Sequence, residues 1–358
     1  MASLSIHSIQ SLQASKSEHQ QHTNSSSVVV EEVEGLIRVY KDGRVERHQI
    51  VPCVGASHSL PESETNAVTS MDVVVDRGTS IWARVYVPKC QGVVKLGGGH
   101  TKLPVLVYFH GGGFCVGSAS WVCYHEFLAK LAAKANCLII SVNYRLAPEN
   151  PLPAAYEDGL KTLMWVKQQA ASSVGVSSNE LWVRSLNLSK MFLAGDSAGA
   201  NIAYHVSKML SPNMLRPLCI KGTILLQPFF GGELRTNSEK YLTQSARSAL
   251  TLEASDAYWR MALPRGANRD HPWCNPVAHK LSIKSEDMQV ATLVCIAEMD
   301  IMRDRSMEYC AALGAAGHKV EFAVSKGVGH AFQILNKSQH AQNRTLEMIK
   351  QVKNFISR

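Results

Sequence analysis

Gly195-Asp196-Ser197-Ala198-Gly199 is the first place in this 358-residue chain where residue type and spacing point to chemistry. A serine framed by glycines can occupy a turn too crowded for larger neighbours, with its hydroxyl held clear of the backbone. The chemistry served is attack by that hydroxyl on a carbonyl carbon. Alone the pattern is weak, because about one chain in ten of this length holds it by chance. Its neighbours strengthen it. Met191 to Ala194 reads as a strand, and Ile202, Ala203, Val206 and Leu210 form an apolar helix face directly after it. Strand, sharp turn and helix are the setting a nucleophile elbow needs, and the first amides of the new helix face whatever binds there.

A second motif, His110-Gly111-Gly112-Gly113-Phe114, ends the apolar run Val105 to Phe109. Glycines there leave backbone N–H groups unobstructed, and with the amide of Ala198 they can meet a developing oxyanion. A serine nucleophile also needs a base, which in a strand-turn-helix hydrolase comes last in the chain, after the acid. His330 lies in the loop after the strand Val320 to Val324, at its carboxyl end. His318 precedes that strand, and His340 falls in the final helical region. For the acid, Glu298, Asp300 and Asp304 all follow the strand Ala291 to Ala297. Asp300 sits nearer the strand end, whereas Asp304 suits the start of a helix, where a carboxylate complements the dipole.

The elements that must position these residues follow from the hydrophobic rhythm. Buried-type strands are expected at Val105 to Phe109, Leu138 to Val142, Met191 to Ala194, Thr223 to Leu226, Ala291 to Ala297 and Val320 to Val324. Helical patterns such as Phe127 to Ala135 and Tyr156 to Gln169 lie between them. Such alternation implies an α/β fold with a mostly parallel sheet covered on both faces. Two earlier strands, Met71 to Asp76 and Ile81 to Val87, read as an antiparallel hairpin at one edge, and Gly92 to Thr101 as a Gly-rich loop. Phe229 to Lys280, with Trp259 and Trp273, breaks the rhythm and is expected to lie over the site as a lid. Residues 1–30, rich in Ser, Gln and His, are expected to form a disordered arm, leaving 31–358 as the folded domain.

Composition narrows the classes. Apolar residues make up 46% of the chain, ordinary for a globular protein, and no apolar run is long enough to span a membrane as a helix. The formal charge of +8 is scattered rather than blocked, and no zinc-knuckle or RNA-recognition signature accompanies it, so no nucleic-acid partner is expected. Nine dispersed cysteines with no C-x-x-C pair read as buried thiols in a reducing compartment, and no secretory signal opens the chain. A cytoplasmic protein is the expectation, with an organelle transit peptide at the Ser-rich start as the alternative, weakened by the absence of Arg before Arg38.

With these residues assembled, the chain resembles the plant carboxylesterases, in the hormone-sensitive-lipase-like branch of the α/β-hydrolases. That branch also holds gibberellin receptors and 2-hydroxyisoflavanone dehydratases. The resemblance rests on the two motifs above together with Tyr144 to Glu149, Leu152 to Ala155, Ala200-Asn201, Pro228 to Gly232, Asn275-Pro276 and Asp300 through Arg305. It implies the α/β-hydrolase fold, an eight-stranded sheet flanked by helices, and a triad of Ser197, Asp300 and His330. It also implies an oxyanion hole from Gly111, Gly112, Gly113 and Ala198, in which Gly111 shapes the loop and the other amides donate. Tyr144 to Glu149 is read as architectural. Pocket walls in this family come from the N-terminal region and the insertion, which makes Phe114, Phe230, Tyr258 and Trp259 lining candidates.

The expected function is hydrolysis of small, largely apolar carboxylic esters, with no metal, no organic cofactor and no obligate protein partner. Two alternatives share the scaffold. Dehydratases and transacylases keep similar site residues. The gibberellin receptors bind hormone beneath an N-terminal lid and have lost the catalytic histidine, which this chain retains at His330.

Overall fold

The computed structural model describes residues 28–58, 67–89, 102–172, 178–211, 214–243, 248–278 and 290–358. The Ser/Gln/His-rich start through residue 27 and the Gly-rich stretch 92–101 lie outside them.

Eight strands form the main sheet: β4 (Val68–Asp76), β5 (Ile81–Pro88), β6 (Leu103–Phe109), β7 (Leu138–Asn143), β8 (Leu186–Asp196), β9 (Ile220–Leu226), β10 (Ala291–Ala297) and β11 (Val320–Ser325). Their spatial order is β11-β10-β9-β8-β6-β7-β5-β4. The pairs among β6 to β11 are parallel, while β5 pairs antiparallel with both β4 and β7. This is the α/β-hydrolase sheet, with the expected hairpin at one edge.

Side-chain alternation decides which face each residue serves. Val105, Val107 and Phe109 enter one core with Leu193, Leu225 and Val294. Leu106 and Tyr108 enter the other with Phe192, Ile224 and Leu293. Each fully buried side chain of this kind contributes about 1.5–3 kcal/mol relative to exposure. Helices α2 (Ala154–Ser172), α3 (Ala198–Met209) and α6 (Arg303–Ala315) send Leu163, Val206 and Leu313 into the first core. Helices α1 (Val122–Ala135), α7 (Phe332–Leu335) and α8 (Gln339–Ser357) send Leu128, Phe332 and Ile349 into the second. Among the described residues no helix is long and apolar enough to cross a membrane.

Two smaller pieces lie apart from the sheet. Strands β1 (Val29–Val33), β2 (Ile37–Tyr40) and β3 (Val45–Arg47) form an antiparallel sheet of their own. Val29 and Val30, expected to lie in the N-terminal arm, belong to β1. Such short strands carry too little periodicity to be read locally, and β1 is held by distant partners: Glu31 accepts from Arg260 Nε at 2.6 Å. The second piece is the insertion. It carries α4 (Asn237–Tyr241), opened by a capping box on Thr236, and α5 (Leu252–Ala262), opened by Thr251. Its final residues, 279–280, fall outside the described set.

Candidate active site

Ser197 is the residue between β8 and α3. It sits at φ 53° and ψ −120°, a conformation that L residues other than glycine rarely adopt. The flanking glycines permit it. A Cβ on Gly195 would lie 2.3 Å from the carbonyl carbon of Gly199, and one on Gly199 would lie 1.9 Å from the Phe109 carbonyl oxygen. The elbow is therefore pressed onto the end of β6, and only bare backbone fits. The Ser197 N–H donates to Leu226 at 2.9 Å, which ties the turn to β9 as well.

His330 Nε2 lies 2.8 Å from Ser197 Oγ, and His330 Nδ1 lies 2.7 Å from Asp300 Oδ2. All three side chains are buried. The second Asp300 oxygen accepts from the Met302 N–H at 2.9 Å, which fixes the carboxylate plane. Burial alone would lower the His330 pKa. The facing carboxylates of Asp300 and Asp196 outweigh it, and the net direction is upward from the usual histidine value.

The other candidates have different partners. Asp304 accepts from Ser238 N at 2.7 Å and Arg303 Nε at 3.0 Å, at the start of α6. Glu298 accepts from the Gly327 N–H at 2.9 Å and so braces the loop that carries His330. His340 supports the same loop, with Nε2 at 3.0 Å from the Lys326 carbonyl. His318 keeps its place at the opposite end of β11.

The His110 to Phe114 loop lies beside the elbow. Among the described residues, nothing accepts from the N–H groups of Gly112, Gly113 or Ala198. Gly111 differs from its neighbours: its N–H donates to Tyr124 Oη at 2.7 Å and Asp196 Oδ1 at 3.1 Å. It is thus not free to meet an oxyanion. Gly112 and Gly113 have φ of 112° and 58°, and a Cβ on Gly112 would lie 2.1 Å from the Val116 carbonyl oxygen. His110 is buried beneath, stacked on Tyr144 at 4.3 Å between centroids, and burial pushes its pKa down to about 4. It is a neutral packing group whose Nδ1 meets the Gly111 carbonyl at 2.8 Å.

Of the lining candidates, Tyr258 lies directly on the glycine loop: a Cβ on Gly113 would be 2.2 Å from its Cγ. Phe114 packs on Phe229 and on Trp259, the latter at 5.4 Å between centroids, and Trp259 stacks flat on Phe229 at 4.7 Å. Phe230 departs from the expectation. It packs instead between Tyr204 and Tyr309, with centroids at 5.9 and 4.9 Å, whereas Phe229 meets Phe114 and Trp259.

Some residues that hold the site together escape the sequence reading. Arg47 on β3 donates to the Cys115 carbonyl at 2.7 Å and to the Ala147 carbonyl at 2.9 Å, and pairs with Glu149. It fastens the small sheet to the His110–Phe114 loop region and to the Tyr144–Glu149 stretch. Within that stretch Arg145 grips buried Asp158 at 2.6 Å, an architectural pairing. Asn201, one turn after Ser197, accepts from Tyr156 Oη at 2.8 Å and donates to the Phe229 and Trp273 carbonyls at 3.0 and 2.8 Å. It fastens the insertion to the elbow helix. Asn201 lies within a quoted motif, but its partners are too distant in sequence to be read from it. Among the described residues, no group of three metal-ligating side chains occurs.

With this geometry in place, residues 106–334 match the family described as the alpha/beta hydrolase fold. A probable carboxylesterase 6 of Arabidopsis thaliana is 51% identical over 335 residues, covering 94% of each chain. A 2-hydroxyisoflavanone dehydratase of Glycyrrhiza echinata is 34% identical over 317 residues, covering 87% of this chain and 92% of its own. Among solved structures, an esterase of Pyrobaculum calidifontis superposes with a TM-score of 0.64 at 26% identity, covering 80% of this chain and 85% of the other.

Proposed function

The chain belongs to the α/β hydrolase fold family, and from that premise we propose that it is a carboxylic ester hydrolase acting through Ser197, His330 and Asp300. The observation that carries this reading is the unbroken hydrogen-bond chain from Asp300 through His330 to Ser197 Oγ, at 2.7 and 2.8 Å. Neutral His330 takes the serine proton as Oγ attacks the ester carbonyl. Asp300 holds the imidazole in the tautomer that presents Nε2 to serine, and stabilises the imidazolium that forms. The tetrahedral oxyanion is met by the N–H groups of Gly112, Gly113 and Ala198. His330 then protonates the leaving alcohol and activates water to release the acid. No step needs a metal or organic cofactor.

The substrate class is small and largely apolar, a reading supported by Phe114, Tyr258, Phe229 and Trp259 clustered at the oxyanion loop. The compartment we infer is the cytoplasm, supported by the eight described cysteines, all free and six of them buried apart from Cys53 and Cys219. A purified enzyme should hydrolyse p-nitrophenyl acetate, and a fluorophosphonate should label Ser197 alone. Turnover without labelling, or labelling at another residue, defeats the assignment.

The relative named as a dehydratase supplies a second reading, elimination of water by the same residues. Incubation with a 2-hydroxyisoflavanone separates the two: hydrolysis alone is expected, and isoflavone formation at a rate matching ester turnover reverses the ranking. A binding-only role is disfavoured by the complete hydrogen-bond chain, since a receptor has no need of a base aimed at serine.

A further inference from the structure

Asp196 is the residue directly before the nucleophile, and the hydrolytic steps above make no use of it. Its side chain is buried, with 1% exposure. Three donors converge on the two carboxylate oxygens. Tyr108 Oη and Gly111 N–H reach Oδ1 at 2.8 and 3.1 Å, and Tyr124 Oη reaches Oδ2 at 3.0 Å. Tyr124 Oη also accepts from the Gly111 N–H at 2.7 Å, closing the group on itself. The fit is tight as well as polar, since a Cβ on Gly111 would lie 2.6 Å from Asp196 Oδ2.

Only an acceptor with two oxygens satisfies three donors from three directions. Burying a carboxylate this deeply is costly unless its hydrogen bonds are all made. The donors come from β6, from α1 and from the oxyanion loop, so the carboxylate is where these elements meet the elbow. We propose that Asp196 is a positioning residue for ester hydrolysis: it fixes the oxyanion loop, through Gly111, in register with Ser197. The inference rests on the ester-hydrolase reading given above.

The charge of Asp196 has a second consequence. The groups that face it are Tyr108 on β6, Cys123 and Tyr124 on α1, Tyr144 after β7, and His330 from the loop after β11. Burial pushes the Asp196 pKa up to about 6, against the pull of Tyr108, Tyr124, His330 and Gly111. The carboxylate is therefore ionised at neutral pH, where it raises the pKa of His330. Once protonated it becomes a donor facing donors, and its hold on the loop weakens. Activity should fall in acid through uptake of two protons, one on His330 and one on Asp196.

The test is steady-state kinetics on p-nitrophenyl acetate across pH, for the native enzyme, Asp196→Asn and Tyr124→Phe, with fluorophosphonate labelling of Ser197 in parallel. Asp196→Asn should lower kcat by about 10²-fold with KM within about twofold, the size of effect expected when an oxyanion donor is misplaced. Its acid limb should become a single-proton fall with a lower midpoint, because His330 loses the neighbouring charge. A purely structural role would leave that limb unchanged. Tyr124→Phe should lower kcat by about tenfold, since it removes the hydroxyl that donates to Asp196 and accepts from Gly111. A folded Asp196→Asn enzyme with kcat within about threefold of native and an unaltered acid limb overturns the proposal. If that variant does not fold, Tyr124→Phe decides, and a native kcat there overturns it equally. Failure of Ser197 labelling in the native enzyme would instead reject the ester-hydrolase reading itself.

Discussion

Around Ser197 the fit is made by backbone. The Phe109 carbonyl leaves no room for a Cβ on Gly199, and the Val116 carbonyl leaves none on Gly112. In the cap of β1 to β3 and the insertion, side-chain ion pairs that reach water are added to the buried packing of Tyr258 and Trp259. Arg260, 58% exposed, holds Glu31, and Arg47, 27% exposed, holds Glu149. Asp256 on α5 is shared by Arg235 and Arg269. The difference separates two jobs. A reaction centre requires atoms fixed to a fraction of an ångström, which close-packed backbone provides at the cost of tolerating almost no substitution. The exposed ion pairs of the cap are worth far less apiece, about 0–1 kcal/mol. The floor around Ser197 is fixed by close-packed backbone, whereas the cap adds weaker exposed pairs to its buried aromatic contacts.

The largest expected effect tests the floor. Ser197→Ala should fold normally and lose about 10⁶-fold in kcat, as for removal of a serine nucleophile from a hydrolase triad. Esterase assays of the purified variant check this, and retention of a tenth of native activity would move the nucleophile elsewhere. Next, Asp300→Asn should cost about 10⁴-fold by allowing the wrong imidazole tautomer. Asp304→Asn, at a carboxylate that accepts from Ser238 and Arg303, should change kcat by less than about threefold and lower stability by about 1 kcal/mol. Parallel kinetics and thermal melts would show the contrast, and the reverse ranking would place the acid at Asp304.

A third expectation concerns pH. Neutral His330 is the active form, and the Asp300 and Asp196 carboxylates raise its pKa in spite of burial. The rise of kcat/KM with pH should therefore have its midpoint above the ordinary histidine value near 6.5 and then level off. A profile still fully active at about pH 5 would be incompatible with this base. The smallest effect tests the cap. Arg260→Ala should leave kcat unchanged and lower stability by less than about 1 kcal/mol, measured by denaturant unfolding. A loss of several kcal/mol would mean that the cap is built like the floor, and would erase the distinction drawn above.

The sequence by itself determined the strand-turn-helix at Ser197, the glycine loop at His110 to Gly113, the place of His330 after the last strand, and the alternation that makes the sheet. These are local statements. A sharp turn needs glycine within two residues, and a buried strand or amphipathic helix shows its period within one element. Only the tertiary structure decided which of Glu298, Asp300 and Asp304 faces His330. The three lie within seven residues, and the turn that follows β10 sends each to a different partner. It also decided that the Gly111 N–H is taken, that Phe230 packs with Tyr204 and Tyr309 while Phe229 packs with Phe114 and Trp259, and that residues 29–47 form a small sheet. Asp196 shows the reason most plainly. Its partners Tyr108 and Tyr124 lie 88 and 72 positions away, and no local pattern of a chain records which distant donors its folding will bring to a buried carboxylate.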